Sequence, residues 1–248
     1  MTEQELNAVI DWQLARDLGL SPSVWERSGT QVYPWTDLPG RRRYREGDPF
    51  LLGHIRRGTA VFAVHPCLLS WAEAHLPAWP PEWCLDYRYL RQLDDALRPW
   101  GWTLHDAHPF FAPDLSAPPA VSPGPVVWFE GDALEQFRGD PRWEGTLAFQ
   151  PLYPDQLAVA ALGPIGQLAG MAAASRDGER LWQIGVNVLP AARGRRIASA
   201  LTALLKEELL RRGIVPFYGT AQSHIFSLNT ARRAGFRPAW AEVYARPV

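Results

Sequence analysis

Between Met1 and Leu20 the apolar residues recur at Leu6, Val9, Ile10, Leu14 and Leu18, a spacing that lays one stripe along a helix. Thr59-Ala-Val-Phe-Ala-Val-His65 is instead a short unbroken apolar run and predicts a buried strand. Leu68-Leu-Ser-Trp-Ala-Glu-Ala-His-Leu76 predicts a helix behind it. Tyr87 to Leu97 predicts another helix, and Trp102-Thr-Leu-His105 a short strand. The segment Ala112-Pro-Asp-Leu-Ser-Ala-Pro-Pro-Ala-Val-Ser-Pro-Gly-Pro125 follows neither period and reads as a linker. Beyond it, strands cluster. Pro125-Val-Val-Trp-Phe-Glu130 is one, and Leu157–Leu162 and Leu168–Ala174 flank the turn Gly163-Pro-Ile-Gly166 as a hairpin. The turn Arg176-Asp-Gly178 then leads into Leu181-Trp-Gln-Ile-Gly-Val-Asn-Val188. The most regular helix follows: Ile197, Ala200, Leu201, Leu204, Leu205, Leu209 and Leu210 trace one face, with Lys206, Glu207, Arg211 and Arg212 largely outside it and Gly213 as a stop.

The pattern predicts an α/β (α+β) chain in three parts: an α/β module over 1–115, a Pro-rich linker over 116–125, and a mixed sheet flanked by helices over 126–248. Composition narrows the function. The 25 basic and 26 acidic residues nearly cancel, so no general field draws nucleic acid or an anionic membrane. No apolar run reaches the ~20 residues of a membrane span, and the N-terminus lacks the basic-then-apolar pattern of an export signal. Cys67 and Cys84 are the two cysteines; with no metal-ligand spacing around them, they read as buried small hydrophobes of a cytoplasmic protein, and no metal is expected. The 12 tryptophans read as core or interface filler. The basic run Arg41-Arg-Arg-Tyr-Arg45 reads as a solvated loop.

Candidate chemistry sits where Pro190-Ala-Ala-Arg-Gly-Arg-Arg-Ile-Ala-Ser199 turns a strand into the long helix. The first amides of a helix have no intrahelical acceptor, and the helix dipole adds positive character. Arg193, Arg195 and Arg196 crowd the same turn, a composition suited to a diphosphate.

In order and spacing, Trp182 to Phe236 resembles the GNAT superfamily of N-acetyltransferases. The signature turn there is Arg or Gln, two residues, Gly, one residue, then Gly or Ala; Arg193 and Ala198 fill its ends, and Arg196 stands in the glycine place. Val215-Pro-Phe-Tyr-Gly-Thr-Ala221 and Ser223 to Phe236 look like the next strand and helix, with a last strand over Pro238 to Arg246. The likeness extends over roughly 126–248 and, more narrowly, points to a bacterial subgroup without a defined substrate. His224 stands where members commonly carry Asn, Ala231 where many carry a Tyr that protonates the leaving thiolate, and Gln183 where a carboxylate base is frequent.

The resemblance implies acetyl-CoA as cosubstrate and acetyl transfer to a primary amine. The strand bearing Val186 and Val188 would splay from that bearing Phe217 and Thr220, with the pantetheine arm in the gap and a strand N–H polarising the thioester carbonyl. Cofactor contacts are implied from Val186, Val188, Arg193, Gly194, Arg195, Arg196, Ile197, Ala198, Ser199, His224 and Ser227. Proton transfer falls to His224 or Tyr218, with Glu179 and Asp177 as further candidates. The acceptor would be a small-molecule or peptide amine; aminoglycosides, polyamines, amino acids and protein N-termini stay open, as does oligomeric state, a homodimer being one option. Because Gln183, Arg196 and Ala231 each replace a useful residue, a catalytically silent acyl-CoA sensor or scaffold is the alternative reading. A third is an N-terminal interaction domain that presents the fold to a protein partner.

Overall fold

The computed structural model describes residues 1–43 and 47–248. The chain forms two compact units. The first comprises Met1–Val9 and Phe111–Pro238, the second Ile10–Phe110 and Ala239–Val248. The division differs from the three parts expected of the sequence, because three elements run across it: helix α1 (Glu3–Asp17) and strands β4 (Trp102–Pro113) and β10 (Phe236–Pro247).

In the second unit, β1 (Gly29–Pro34) pairs parallel with β3 (Thr59–Val64), β3 antiparallel with β2 (Leu51–Arg56), and β2 antiparallel with the Ala241–Tyr244 stretch of β10. Helices α2 (Pro66–His75) and α3 (Tyr87–Leu97) bring Leu68, Leu76, Leu93 and Leu97 onto Phe62, Val64, Val243 and Ala245. The final strand thus completes this unit's core, although in sequence it follows the other unit. Trp83 and Trp100 are exposed and are not core filler. Cys84 is buried, and burial pushes its thiol up to about 12. Cys67 departs from the sequence reading: it is exposed at the start of α2, where the backbone turns it outward.

The basic run also departs from expectation. Tyr44 and Arg45 lie outside the described residues, but Arg42 is buried. Its Nε donates to Asp17 Oδ2 at 2.6 Å and its terminal nitrogen to Glu242 Oε1 at 2.6 Å. Trp240 Nε1 donates to the same Glu242 oxygen at 2.7 Å, and the buried His54 ring stands 3.6 Å away. Buried charges persist only when paired, so this arginine is held by carboxylates from α1 and β10 instead of water.

The first unit places β5 (Val126–Glu130), β6 (Asp155–Leu162), β7 (Leu168–Ser175) and β8 (Leu181–Val188) as successive antiparallel neighbours, and adds β9 (Val215–Gly219) parallel to β8. Helices α4 (Ile197–Arg211) and α5 (Ile225–Arg233) follow β8 and β9. Alternation along the strands sorts the core. Val159, Ala172, Ala174 and Ile184 meet Leu201, Leu205 and Leu209 of α4, while Ala158, Ala160, Met171 and Ala173 meet Leu134, Phe137, Trp143 and Leu147. Both faces are covered, which is why β6 and β7 read as unbroken apolar runs. Lys206 of α4 is buried too, its ammonium donating to Gly235 O at 3.3 Å. The Pro-rich segment is seated on this unit and does not hang free: the Ala120 N–H donates to Glu207 and Asp114 N–H to Gly235 O.

Acid sensitivity follows from the Arg42 network. Burial alone would raise the Glu242 pKa, but the Arg42 charge beside it holds the carboxyl at about 2, against 4.5 when unperturbed. Its contribution is therefore complete above pH 4.5 and is lost as pH falls from there toward 2. Burial drives the His54 pKa below 6.5, so acidification through that range also favours the unfolded chain. Glu242→Gln is expected to cost about 3 kcal/mol at neutral pH and to flatten the acid limb below pH 4.5, measured by urea unfolding across pH.

Candidate functional site

Strands β8 and β9 pair over three residues, Leu181↔Val215, Trp182↔Pro216 and Gln183↔Phe217. Past that row β8 continues to Val188 paired to β7 alone, Ile184↔Ala174 through Val188↔Gly170. The ladder ends midway along β8, leaving the β9-facing edge of its second half unpaired among the described residues. Sheet edges with free N–H and C=O groups accept an extended ligand as an added strand. The β8–β9 ladder thus ends before the Val186 and Val188 positions of β8.

At the end of β8 the chain makes a single 3₁₀ turn, Pro190–Ala192, and enters α4 through Arg193–Arg196. The turn is fixed from beneath. Ala192, Val188 and Ala169 form a small cluster against which Ile197 and Ala198 pack, and Arg193 Nε donates to Val188 O at 3.0 Å. A Cβ on Gly170 would come within 2.9 Å of Val188 Cγ2 and 3.2 Å of Ile197 Cγ2, so glycine there admits the helix start close to the sheet. Gly194 has φ +79°, and Arg196 has φ +61°. An arginine thus holds a left-handed conformation, at a cost of about 1–2 kcal/mol relative to a right-handed one, in the place where glycine is usual.

The first backbone donors of α4 are left without protein partners. Ala200 is the first amide to enter the helical ladder, bonding Arg196 O at 3.1 Å. Among the described residues, the N–H groups of Gly194 to Ser199 have no protein acceptor. Arg193, Gly194, Arg195 and Arg196 are exposed. A row of unsatisfied amides at the positive end of a fifteen-residue helix, with Arg195 and Arg196 beside it, is a donor arrangement chemically suited to an anion.

The other predicted residues divide. Tyr218 and Ser227 are brought together, their hydroxyls 2.9 Å apart, with Tyr218 buried and its phenol pushed upward by burial against the lowering effect of Ser227. His224 is an exposed residue at the head of α5 and makes no side-chain cap bond. Ala231 is fully buried in the core under α4. Glu179 is exposed in the β7–β8 turn. Asp177 is buried: its Oδ2 accepts from Ser175 Oγ at 2.8 Å and from Gln183 N at 3.2 Å.

The sequence reading overlooked the connection between β5 and β6. Residues 131–149 cross the sheet face opposite α4, with 3₁₀ turns at Gly131–Phe137 and Pro141–Trp143. Asn187 donates to Arg142 O at 2.7 Å, and a Cβ on Gly185 would sit 2.7 Å from Gly145 O and 2.8 Å from Thr146 O. A glycine inside a strand marks such close approach of another backbone, so Gly185 was the available signal. Gly185→Ala is expected to push this connection off β8 and lower stability by about 1–3 kcal/mol, read as a lower urea midpoint.

Residues 126–236 match the model of the Acetyltransferase (GNAT) family. No curated protein matches the chain. Among solved structures, a GCN5-related N-acetyltransferase from Sphaerobacter thermophilus aligns at 18% identity and TM-score 0.47, over 76% of this chain and 72% of that one. A GCN5-related N-acetyltransferase-like protein from Streptococcus suis 89/1591 aligns at 17% and 0.48, over 98% and 99%. A GCN5-related N-acetyltransferase from Kribbella flavida aligns at 18% and 0.46, over 62% and 63%. At these values the family model, with the turn geometry, carries the assignment. Over residues 126–236 the chain is similar to the GNAT family of acetyltransferases.

Proposed function

We propose that the chain transfers an acetyl group from acetyl-CoA to a primary amine by direct attack. The observation that carries this reading is the row of unacceptored amides from Gly194 to Ser199 at the start of α4, one turn after the unpaired β8 edge ends. A diphosphate fits this donor set, which combines main-chain N–H groups, a helix dipole and guanidinium charge. An extended amide-bearing arm fits the β8 edge beside it. Bound there, acyl-CoA supplies the acyl group as an activated thioester.

The residues divide the remaining work. Gly194 to Ser199, with Arg195 and Arg196, hold the phosphates, while Arg193 secures the turn to Val188. Main-chain N–H groups of β8 past Gln183 orient the arm and polarise the carbonyl. Transfer joins the amine nitrogen to the acyl carbon, breaks the carbon–sulfur bond, takes one proton from nitrogen and gives one to sulfur. An alkylammonium has a pKa near ~10 and must first lose a proton. Tyr218, with its phenol above the ordinary 10, stays protonated at neutral pH and is suited to donating a hydrogen bond toward sulfur, not to accepting a proton.

A second reading, binding of acyl-CoA without turnover, is favoured by Gln183 and Ala231, neither of which can move a proton. Thiol release measured beside calorimetry separates the two: saturable acetyl-CoA binding with no thiol release on any amine selects the sensor. Arg195→Ala is expected to weaken acetyl-CoA binding by about 1–2 kcal/mol, and unchanged affinity would remove the diphosphate assignment. Tyr218→Phe is expected to lower kcat by about tenfold or more while affinity holds; equal kcat would exclude the phenol from the reaction.

A further inference from the structure

Strand β5 stands at the end of its sheet. It pairs with β6 and, among the described residues, with no other strand. Antiparallel partners alternate between rows that exchange both backbone bonds and rows that exchange none. The Leu162 N–H donates to Pro125 O at 2.9 Å, and the register runs from there through Val126↔Ala161 to Glu130↔Leu157. Val127 and Phe129 therefore turn their N–H and C=O groups to β6, whereas Val126, Trp128 and Glu130 turn theirs to the open edge. The Trp128 and Glu130 N–H groups have no protein acceptor among the described residues.

The side chains alternate in step. Val127 and Phe129 pack toward Leu134, Phe137 and Trp143, and Val126 packs on the face that α4 covers. Trp128 shares the Val126 face, yet it is 40% exposed. Glu130, the one charged residue of the strand, is held by Arg212 beyond the end of α4, with bonds of 2.7 and 3.1 Å, so its charge is matched within the chain. Monomeric proteins guard an open edge with proline, lysine or a bulge. The sequence Val-Val-Trp-Phe-Glu contains neither residue, and its register against β6 is unbroken.

We propose that β5 is a dimerisation edge whose occupant is β5 of a second copy of this chain, added antiparallel about a two-fold axis at Trp128. The strand is self-complementary in that register. Trp128 meets Trp128 of the second copy in a row that exchanges both backbone bonds, and Glu130 meets Val126 of the second copy. Each outward-facing residue thus finds an outward-facing residue. A slip of one residue sets open groups against groups already spent on β6, and a slip of two leaves Val126 or Glu130 without a counterpart. No like charges face each other, because Glu130 lies against an uncharged valine and keeps its own Arg212. The two Trp128 rings fall on one face of the continued sheet, as a cross-strand aromatic pair. An unrelated extended peptide would gain the backbone bonds but not this symmetric match, so the second copy is the occupant favoured.

Sedimentation equilibrium of the full chain, from about 1 to about 200 µM, tests this. Wild type is expected to form a reversible dimer across that range. Trp128→Glu and Trp128→Lys are each expected to weaken association about tenfold or more, because like charges then face each other at the axis. An equimolar mixture of the two variants sets opposite charges there and is expected to restore the dimer, a recovery that unfolded chains could not give. Wild type that stays monomeric throughout, variants that associate as wild type does, or a mixture no better than its components each overturns the proposal.

Discussion

A parallel ladder that stops short is the constraint on which the candidate site depends. Because β8 and β9 share only the rows from Leu181 to Gln183, the remaining half of β8 keeps one edge without a partner. Backbone N–H and C=O groups are obligatory hydrogen-bonding groups. An edge so exposed inside a covered sheet is stable only where solvent or a ligand completes it. The start of α4 presents the same condition a few residues later: its first amides are without protein acceptors, beside an Arg196 held in a left-handed conformation. Two backbone deficits, one strand-like and one helical, lie in sequence on either side of a single turn. Their adjacency, more than any side chain, is what supports the proposed binding of a long anionic cosubstrate with an amide-bearing arm.

Packing beneath the turn makes that geometry rigid. Gly170 leaves room for Val188 and Ile197, Ala169 and Ala192 keep the cluster small, and Arg193 closes the turn on the strand's last carbonyl. Local strain at Arg196 persists because these contacts over-determine the loop. On the opposite face, the β5–β6 connection is held against β8 through the Gly185 approach, while the apolar cluster around Trp143 pins it to the sheet. One face thus supports the turn into α4, and the other carries the β5–β6 connection.

The second unit is stabilised differently. Its centre holds Arg42, Asp17, Glu242 and His54 as a buried hydrogen-bonded network, drawn from segments far apart in the chain. Glu242 stands opposite His54 in the pairing of β10 with β2 and reaches Arg42 from there. Nothing in a run of arginines announces this, since a guanidinium is buried or solvated according to which carboxylates the fold delivers.

Periodicity alone determined the existence of α4 and of β5 to β8, because alternation and the 3.6-residue repeat are local consequences of which residues face a core, whereas β9 was read from the family resemblance. Tyr87–Leu97 was legible for the same reason, and the Gly194–Ala198 turn was legible because it is contiguous. Only the tertiary structure decided that β10 completes the unit of the first module, that Arg42 is buried, that Cys67 is exposed, and that Trp128 lies on the end strand of the sheet. Each of these depends on strand register or on pairing across many residues of chain, and register is set by the sum of contacts on two faces. No window along a single strand contains that sum.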